Sequence, residues 1–132
     1  MNSAGITFRP VEHTDYSGIV ALGVECYGSN APTREQLLHG YLGLHNAPVG
    51  SWLACWNSQV IAVQHMIVHS FHFGRTVLLG GVFTGALVHP SFRGRGIFSS
   101  LIEKVVESSW ELGCDFVLTM PNDMSFGAFM KN

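Results

Sequence analysis

Hydrophobic positions along the chain change their spacing several times, and each change marks the boundary of a predicted element. Short apolar or alternating runs are typical of strands, whereas apolar positions three and four residues apart are typical of amphipathic helices. The predicted strands cover residues 6–11, 52–56, 60–73, 76–88 and 115–120. The predicted helices cover residues 16–27, 34–44, 96–112 and 121–132. This order, with three consecutive antiparallel strands in the middle, predicts a single α/β domain over residues 1–132.

Local signals at two helix starts and at one turn support these boundaries. Thr14 and Asp15 are predicted to cap the first helix. Thr33, with Gln36 three residues later, forms the pattern of a capping box before the second helix. The polar pair Asn57-Ser58 predicts a tight turn that joins the second and third strands as a hairpin.

Three glycines interrupt the fourth predicted strand. Gly80, Gly81 and Gly85 lie inside an otherwise apolar run. Glycine within a strand indicates either a β-bulge or a place where another molecule approaches the backbone closely. Both interpretations stay open at the level of sequence.

Composition narrows the class of protein. The formal net charge of −2 argues against general nucleic-acid binding, which needs a basic surface. No apolar run reaches the roughly 18 residues of a membrane span, and Cys26, Cys55 and Cys114 are odd in number and far apart. We therefore expect a cytoplasmic protein with reduced thiols and without a membrane partner. Charged residues make up only 12% of the chain. Much of the surface is therefore expected to be apolar, which favours a homo-oligomer.

The motif that carries chemistry follows the fourth strand. That strand ends in Val88-His89-Pro90, and the turn Arg93-Gly94-Arg95-Gly96 leads into the third helix. Free backbone N–H groups and the helix dipole attract anions at a helix N-terminus, glycines let phosphate oxygens reach the main chain, and arginines add charged donors. The alternative is a plain glycine-rich turn with exposed arginines. A Walker loop is excluded because its Gly-Lys-Ser/Thr ending is missing, and a dinucleotide fingerprint because three glycines at G-x-G-x-x-G spacing are absent.

Residues 88–101 (VHPSFRGRGIFSSL) resemble the signature of the GNAT superfamily of N-acetyltransferases. The resemblance extends to Met120-Pro121-Asn122 and Ser125, and the order of elements fits from Ile6 onward. It implies a mixed, mostly antiparallel central sheet flanked by helices, and acetyl-CoA as cosubstrate without a metal. It also implies that main-chain groups of Ala86, Leu87 and Val88 pair with the pantetheine arm.

The same resemblance assigns the rest of the site. The amides of Arg93, Gly94, Arg95, Gly96 and Ile97 would wrap the pyrophosphate, and Asn122 and Ser125 would lie near the thioester as candidate catalytic residues. The implied reaction is direct attack by the amine of a small-molecule or peptide acceptor in a ternary complex. A main-chain N–H near Leu87 would stabilise the oxyanion.

The sequence departs from the family pattern in several places. Phe98 stands where a small residue is common, and it fits only if it turns into the core. Phe129 stands where many members have a tyrosine that acts as general acid, and the fourth strand carries no Asp or Glu as general base. The last C-terminal strands of the family domain are expected to be missing. These departures support an alternative, a non-catalytic acyl-CoA sensor or interaction domain. A nucleotide-phosphate binder is a further alternative.

The seven histidines do not predict a metal site. The densest group is His65, His69 and His72, all within the third predicted strand. On a strand, His65 and His69 share a face but lie about 13 Å apart, too far to bind one ion, and His72 points to the other face.

Overall fold

The computed structural model describes residues 5–31, 33–36 and 50–119. Its strands are β1 (Ile6–Pro10), β2 (Trp52–Trp56), β3 (Gln59–Phe73), β4 (Thr76–Val88) and β5 (Phe116–Leu118). Its helices are α1 (Tyr16–Tyr27), α2 (Arg34–Gln36) and α3 (Ile97–Glu111), with 3₁₀ turns at His13–Asp15, Gly28–Asn30 and Pro90–Phe92. The predicted extension of α2 beyond Gln36 and the last predicted helix lie outside the described residues. No helix in these ranges is long and apolar enough to cross a membrane.

The strands form one sheet in the order β1-β2-β3-β4-β5. The first three pairings are antiparallel, and β5 pairs with β4 in parallel. The predicted mixed, mostly antiparallel sheet is thereby confirmed. Asn57 and Ser58 both have positive φ, at 50° and 64°, as expected for the tight hairpin turn between β2 and β3.

Helices cover both faces of the sheet. Ile19 and Leu22 of α1 pack with Val63 on one face. On the other, Ile97 and Leu101 of α3 pack with the neighbouring Ala62. Since successive side chains of a strand point to opposite faces, the positions of Ala62 and Val63 place α1 and α3 on opposite sides of β3.

The two predicted helix caps have different outcomes. Thr33 and Gln36 form the capping box: the Gln36 N–H donates to Thr33 Oγ1 at 3.2 Å, and the Thr33 N–H donates to Gln36 Oε1 at 2.9 Å. Asp15 occupies the N-cap position of α1, as predicted, but its side chain makes no cap bond to that helix. Its carboxylate instead binds Arg9 at 2.6 and 2.7 Å and accepts from the Glu12 N–H at 2.8 Å. Thr14 lies within the preceding 3₁₀ turn.

The glycines of β4 have two separate roles. Gly85 belongs to a β-bulge: Gln64 pairs with Ala86 and Met66 with Phe83, which leaves two residues of β4 opposite one of β3. The predicted bulge is confirmed there. At Gly80, an added Cβ would lie 2.6 Å from the ring of Phe71, and at Gly81 it would lie 2.8 Å from Met66 Sδ. These two glycines make room for the protein's own side chains.

Candidate functional site

The central feature of the site is an edge of β4 that opens in the middle of the sheet. β5 pairs with β4 only from Gly80 to Val82. β4 continues from Phe83 to Val88, still paired with β3 on its other side. Among the described residues, no strand pairs with this stretch on the side that faced β5. The part of this edge beyond the last β5 pairing, toward Ala86 and Val88, therefore has the extended form with which an extended ligand could pair.

The register decides which groups point into this opening. The His89 N–H donates to the Ile61 carbonyl at 2.7 Å, so His89 faces β3. Because main-chain groups of successive residues point to alternate sides of a strand, those of Leu87 also face β3. The main-chain groups of Ala86 and Val88 face the open edge. The Val88 carbonyl accepts hydrogen bonds from Arg93 Nε at 3.0 Å and from Cys26 Sγ at 3.5 Å.

The open edge leads through the 3₁₀ turn Pro90–Phe92 to the glycine-rich turn at residues 93–96. Gly94 and Gly96 have φ of 76° and 77°, a left-handed conformation that residues with a Cβ adopt only at a cost. A Cβ added at Gly94 would meet no atom within 4 Å, so the space above this backbone is open. Gly96 is the N-cap of α3, and its carbonyl accepts from the Ser100 N–H at 3.1 Å. The N–H groups of the first turn of α3 have no partner within the helix, which makes the turn suited to an anion.

The two arginines of the turn are exposed, but contacts fix the direction of both side chains. Arg93 is held by the bond from its Nε to the Val88 carbonyl, which leaves its terminal nitrogens as donors. The guanidinium of Arg95 lies 5.1 Å from the centre of the Phe92 ring, a cation–π contact. Phe92 in turn packs against Trp56 of β2, with ring centres 5.7 Å apart. Through these two contacts, the guanidinium of Arg95 is held close to β2.

Phe98, the bulky residue directly after the turn, is compatible with this arrangement. Its side chain is only partly exposed and packs against the buried cluster that contains Met66, Phe83 and Ile102. It therefore turns into the core, as the sequence requires for a bulky residue at this position.

Gln64, which sequence reasoning missed, lies at the bulge where β4 leaves β5. It is 1% exposed, and its Nε2 donates to the His65 carbonyl at 2.8 Å and to the Thr84 carbonyl at 3.0 Å. A polar amide inside the apolar run from Val60 to Val68 was the only signal of it in the sequence.

His65 is also 1% exposed, and burial lowers its pKa to about 4. It is therefore neutral at neutral pH. No group of three His, Cys, Asp or Glu side chains in the described ranges is arranged to hold a metal ion. The candidate catalytic residues Asn122 and Ser125, and Phe129 with them, lie outside the part of the chain that the structure describes.

Comparison with known proteins is consistent with this geometry. Residues 7–128 match the model of a family described as "Acetyltransferase (GNAT) domain". An acetyltransferase from Trypanosoma brucei superposes with a TM-score of 0.74 at 20% identity, covering 96% of this chain and 89% of that one. No curated protein matches this sequence.

Two further solved structures share the fold. Glucosamine-6-phosphate N-acetyltransferase from Arabidopsis thaliana has a TM-score of 0.74 at 15% identity, covering 96% of this chain and 88% of that chain. A predicted acetyltransferase with acetyl-CoA from Clostridium acetobutylicum has a TM-score of 0.73 at 18% identity, covering 96% and 87%. At these identities the likeness concerns the fold.

Proposed function

The chain belongs to the GNAT acetyltransferase family, and on that premise we propose that it transfers an acetyl group from acetyl-CoA to the amine of a small-molecule or peptide acceptor. The observation that carries the proposal is the continuity of two surfaces. The open edge of β4 ends at Val88, and the glycine-rich turn that follows presents the N-terminus of α3. One surface suits an extended amide-containing arm, and the other suits a pyrophosphate.

The described residues fit acetyl-CoA in two ways. The outward main-chain groups of Ala86 and the outward N–H of Val88 would pair with the pantetheine arm, whereas the main-chain groups of Leu87 between them face β3. The amides from Gly94 to Ile97 would bind the pyrophosphate, supported by Arg93 and Arg95. The left-handed glycines and the open space at Gly94 are the features of the turn that a bound phosphate needs.

Acetyl-CoA would supply an activated acyl thioester, and the protein's own groups would orient it. The outward N–H of Ala86, next to the bulge, is our candidate for stabilising the negative charge that develops on the carbonyl oxygen. Holding both reactants in one complex removes much of the entropic cost of their encounter. A thiol pKa of about 8.5 lets the departing sulfur leave with weak or water-mediated protonation. We propose that Asn122 and Ser125 act at the departing sulfur as hydrogen-bond donors, directly or by holding the water that protonates it.

Calorimetry with acetyl-CoA, CoA and ATP tests the binding half of the proposal. Gly96→Val should abolish acetyl-CoA binding, because the side chain would cover the helix amides and force a β-branched residue into positive φ. Gly74→Val is the matched control, since Gly74 also has positive φ (63°) but lies in the turn between β3 and β4. Arg93→Ala should cost roughly 1–3 kcal/mol, and Arg75→Ala almost nothing. Equal affinity in Gly96→Val and Gly74→Val would overturn the assignment.

A thiol-release assay over a panel of amines tests the transfer half. An acetyltransferase releases CoA only when an acceptor amine is present, and the acetylated amine is detected by mass. Tight acetyl-CoA binding without amine-dependent release over the whole panel would instead support the non-catalytic sensor.

A further inference from the structure

The bulge in β4 lies at the position where the sheet opens. Thr84 and Gly85 stand together opposite His65, between the pairs Gln64–Ala86 and Met66–Phe83. The pairing with β5 ends just before it, at Val82. A bulge increases the local twist of its strand, and this one coincides with the point where the pairing with β5 ends. The direction of the next outward N–H, that of Ala86, depends on the geometry of the bulge.

One side chain connects the two sides of this bulge. Gln64 Nε2 carries two protons, and both are used: one goes to the His65 carbonyl on β3 and one to the Thr84 carbonyl on β4. These are carbonyls of residues that the register shift leaves outside regular cross-strand pairs. The amide thus supplies donors at the point where the ladder is interrupted.

The side-chain amide of Gln64 is only partly satisfied within the described ranges. Gln64 is almost fully buried, and its Oε1 has no hydrogen-bond partner within the described ranges. A buried acceptor without a partner destabilises the folded state, and a polar group retained at such a cost is typical of functional positions.

We propose that Gln64 is a positioning residue for acetyl transfer. Its amide fixes the shape of the bulge, and the bulge sets the direction of the Ala86 N–H relative to the reacting carbonyl group. The proposal rests on the proposed acetyltransferase function. Gln64 itself does not have to touch either substrate, and acetyl-CoA affinity, which rests mainly on the glycine-rich turn, should change much less than turnover when Gln64 is replaced.

Gln64→Met tests the proposal because methionine keeps the length of the side chain and removes both donors. In the thiol-release assay we expect kcat to fall roughly 10- to 100-fold, as for a reacting group displaced by a fraction of an ångström to 1 Å. The KM for acetyl-CoA should stay within about threefold, as expected when an interaction made only in the transition state is lost. Ile19→Val, which removes a buried methyl group on the α1 face, is the control for lost stability.

Gln64→Glu is the second variant and gives a pH readout. A protonated glutamic acid still donates one hydrogen bond, whereas the carboxylate donates none and is repelled by the two carbonyls. We expect kcat of this variant, relative to wild type at the same pH, to fall as pH rises. Normalising to wild type removes the contribution of His65, the titratable neighbour in β3.

The outcomes separate the two proposals. An inactive wild type across the amine panel would overturn the proposed function. If the wild type is active, two results would overturn the role of Gln64 and leave the proposed function intact. One is a kcat of Gln64→Met within twofold of the Ile19→Val control. The other is a ratio of Gln64→Glu kcat to wild-type kcat that does not change with pH. If Gln64→Met does not fold, the pH ratio of Gln64→Glu decides alone.

Discussion

Burial of His65 should make the protein lose stability in mild acid. In the unfolded chain the histidine has the ordinary pKa of 6.5, whereas burial lowers its folded-state pKa to about 4. Between these values the unfolded state binds a proton that the folded state does not, so the free energy of unfolding falls as pH falls. Above pH 6.5 the residue has no effect, and below about 4 the loss is complete.

The size of the effect follows from the difference between the two pKa values. At 1.36 kcal/mol for each pKa unit, the gap from 6.5 to about 4 corresponds to about 3 kcal/mol. Such a loss is a large part of the stability of a small domain, which is typically about 5–15 kcal/mol. The free energy of unfolding should therefore begin to fall below pH 6.5, well before most carboxylates are protonated.

Urea unfolding at a series of pH values between 7.5 and 4 measures this loss, with His65→Leu as the comparison. The variant should show little change in the free energy of unfolding over that range. Asp15 acts in a lower window: its contact with Arg9 lowers the carboxyl pKa below 3.8, so its contribution is present above 3.8 and lost only as pH falls further. Equal slopes for wild type and His65→Leu between pH 6.5 and 4 would refute the argument.

Three shorter predictions follow from packing and charge. Arg9→Met should lower the free energy of unfolding, measured in urea, by about 1–2 kcal/mol, because Asp15 is left without its bidentate partner. The loss is limited to this size because Arg9 is 42% exposed and solvent screens the pair. A loss below about 0.5 kcal/mol would count against this argument. Gly80→Ala should destabilise by about 1–3 kcal/mol, since its Cβ would overlap two phenylalanine rings, and an unchanged melting temperature would contradict this packing. Exposed apolar side chains such as Phe73 and Trp110 should drive concentration-dependent association in light scattering, and a constant monomer mass would argue otherwise.

The sequence predicted those elements whose signals are local. The β2–β3 turn needs two residues with positive φ, and Asn57-Ser58 supplies them. The turn at residues 93–96 contains two glycines, Gly94 and Gly96, that interrupt the apolar spacing on either side. These glycines were enough to predict that β4 ends before the turn and that α3 begins after it. The capping box at Thr33 and Gln36 uses partners three residues apart, a distance that sequence reasoning handles well.

The parts that sequence reasoning missed depend on distant partners. Asp15 has the residue type of a helix cap, but Arg9 from the preceding strand binds its carboxylate. The role of Gln64 depends on a register shift that places Thr84, twenty residues later, beside its amide. The direction of the Leu87 backbone groups likewise depends on the pairing of β3 with β4.

The central claim is that acetyl-CoA binds along the open edge of β4 and at the N-terminus of α3. A titration of ¹⁵N-labelled protein with acetyl-CoA, followed by amide chemical shifts, tests it most directly. The account predicts that the largest shifts fall on the amides of Ala86, Val88 and Gly94–Ile97, with small shifts in the turn at Gly74. Saturable binding with its largest shifts elsewhere, or no shift at Ala86 and Val88, would contradict it.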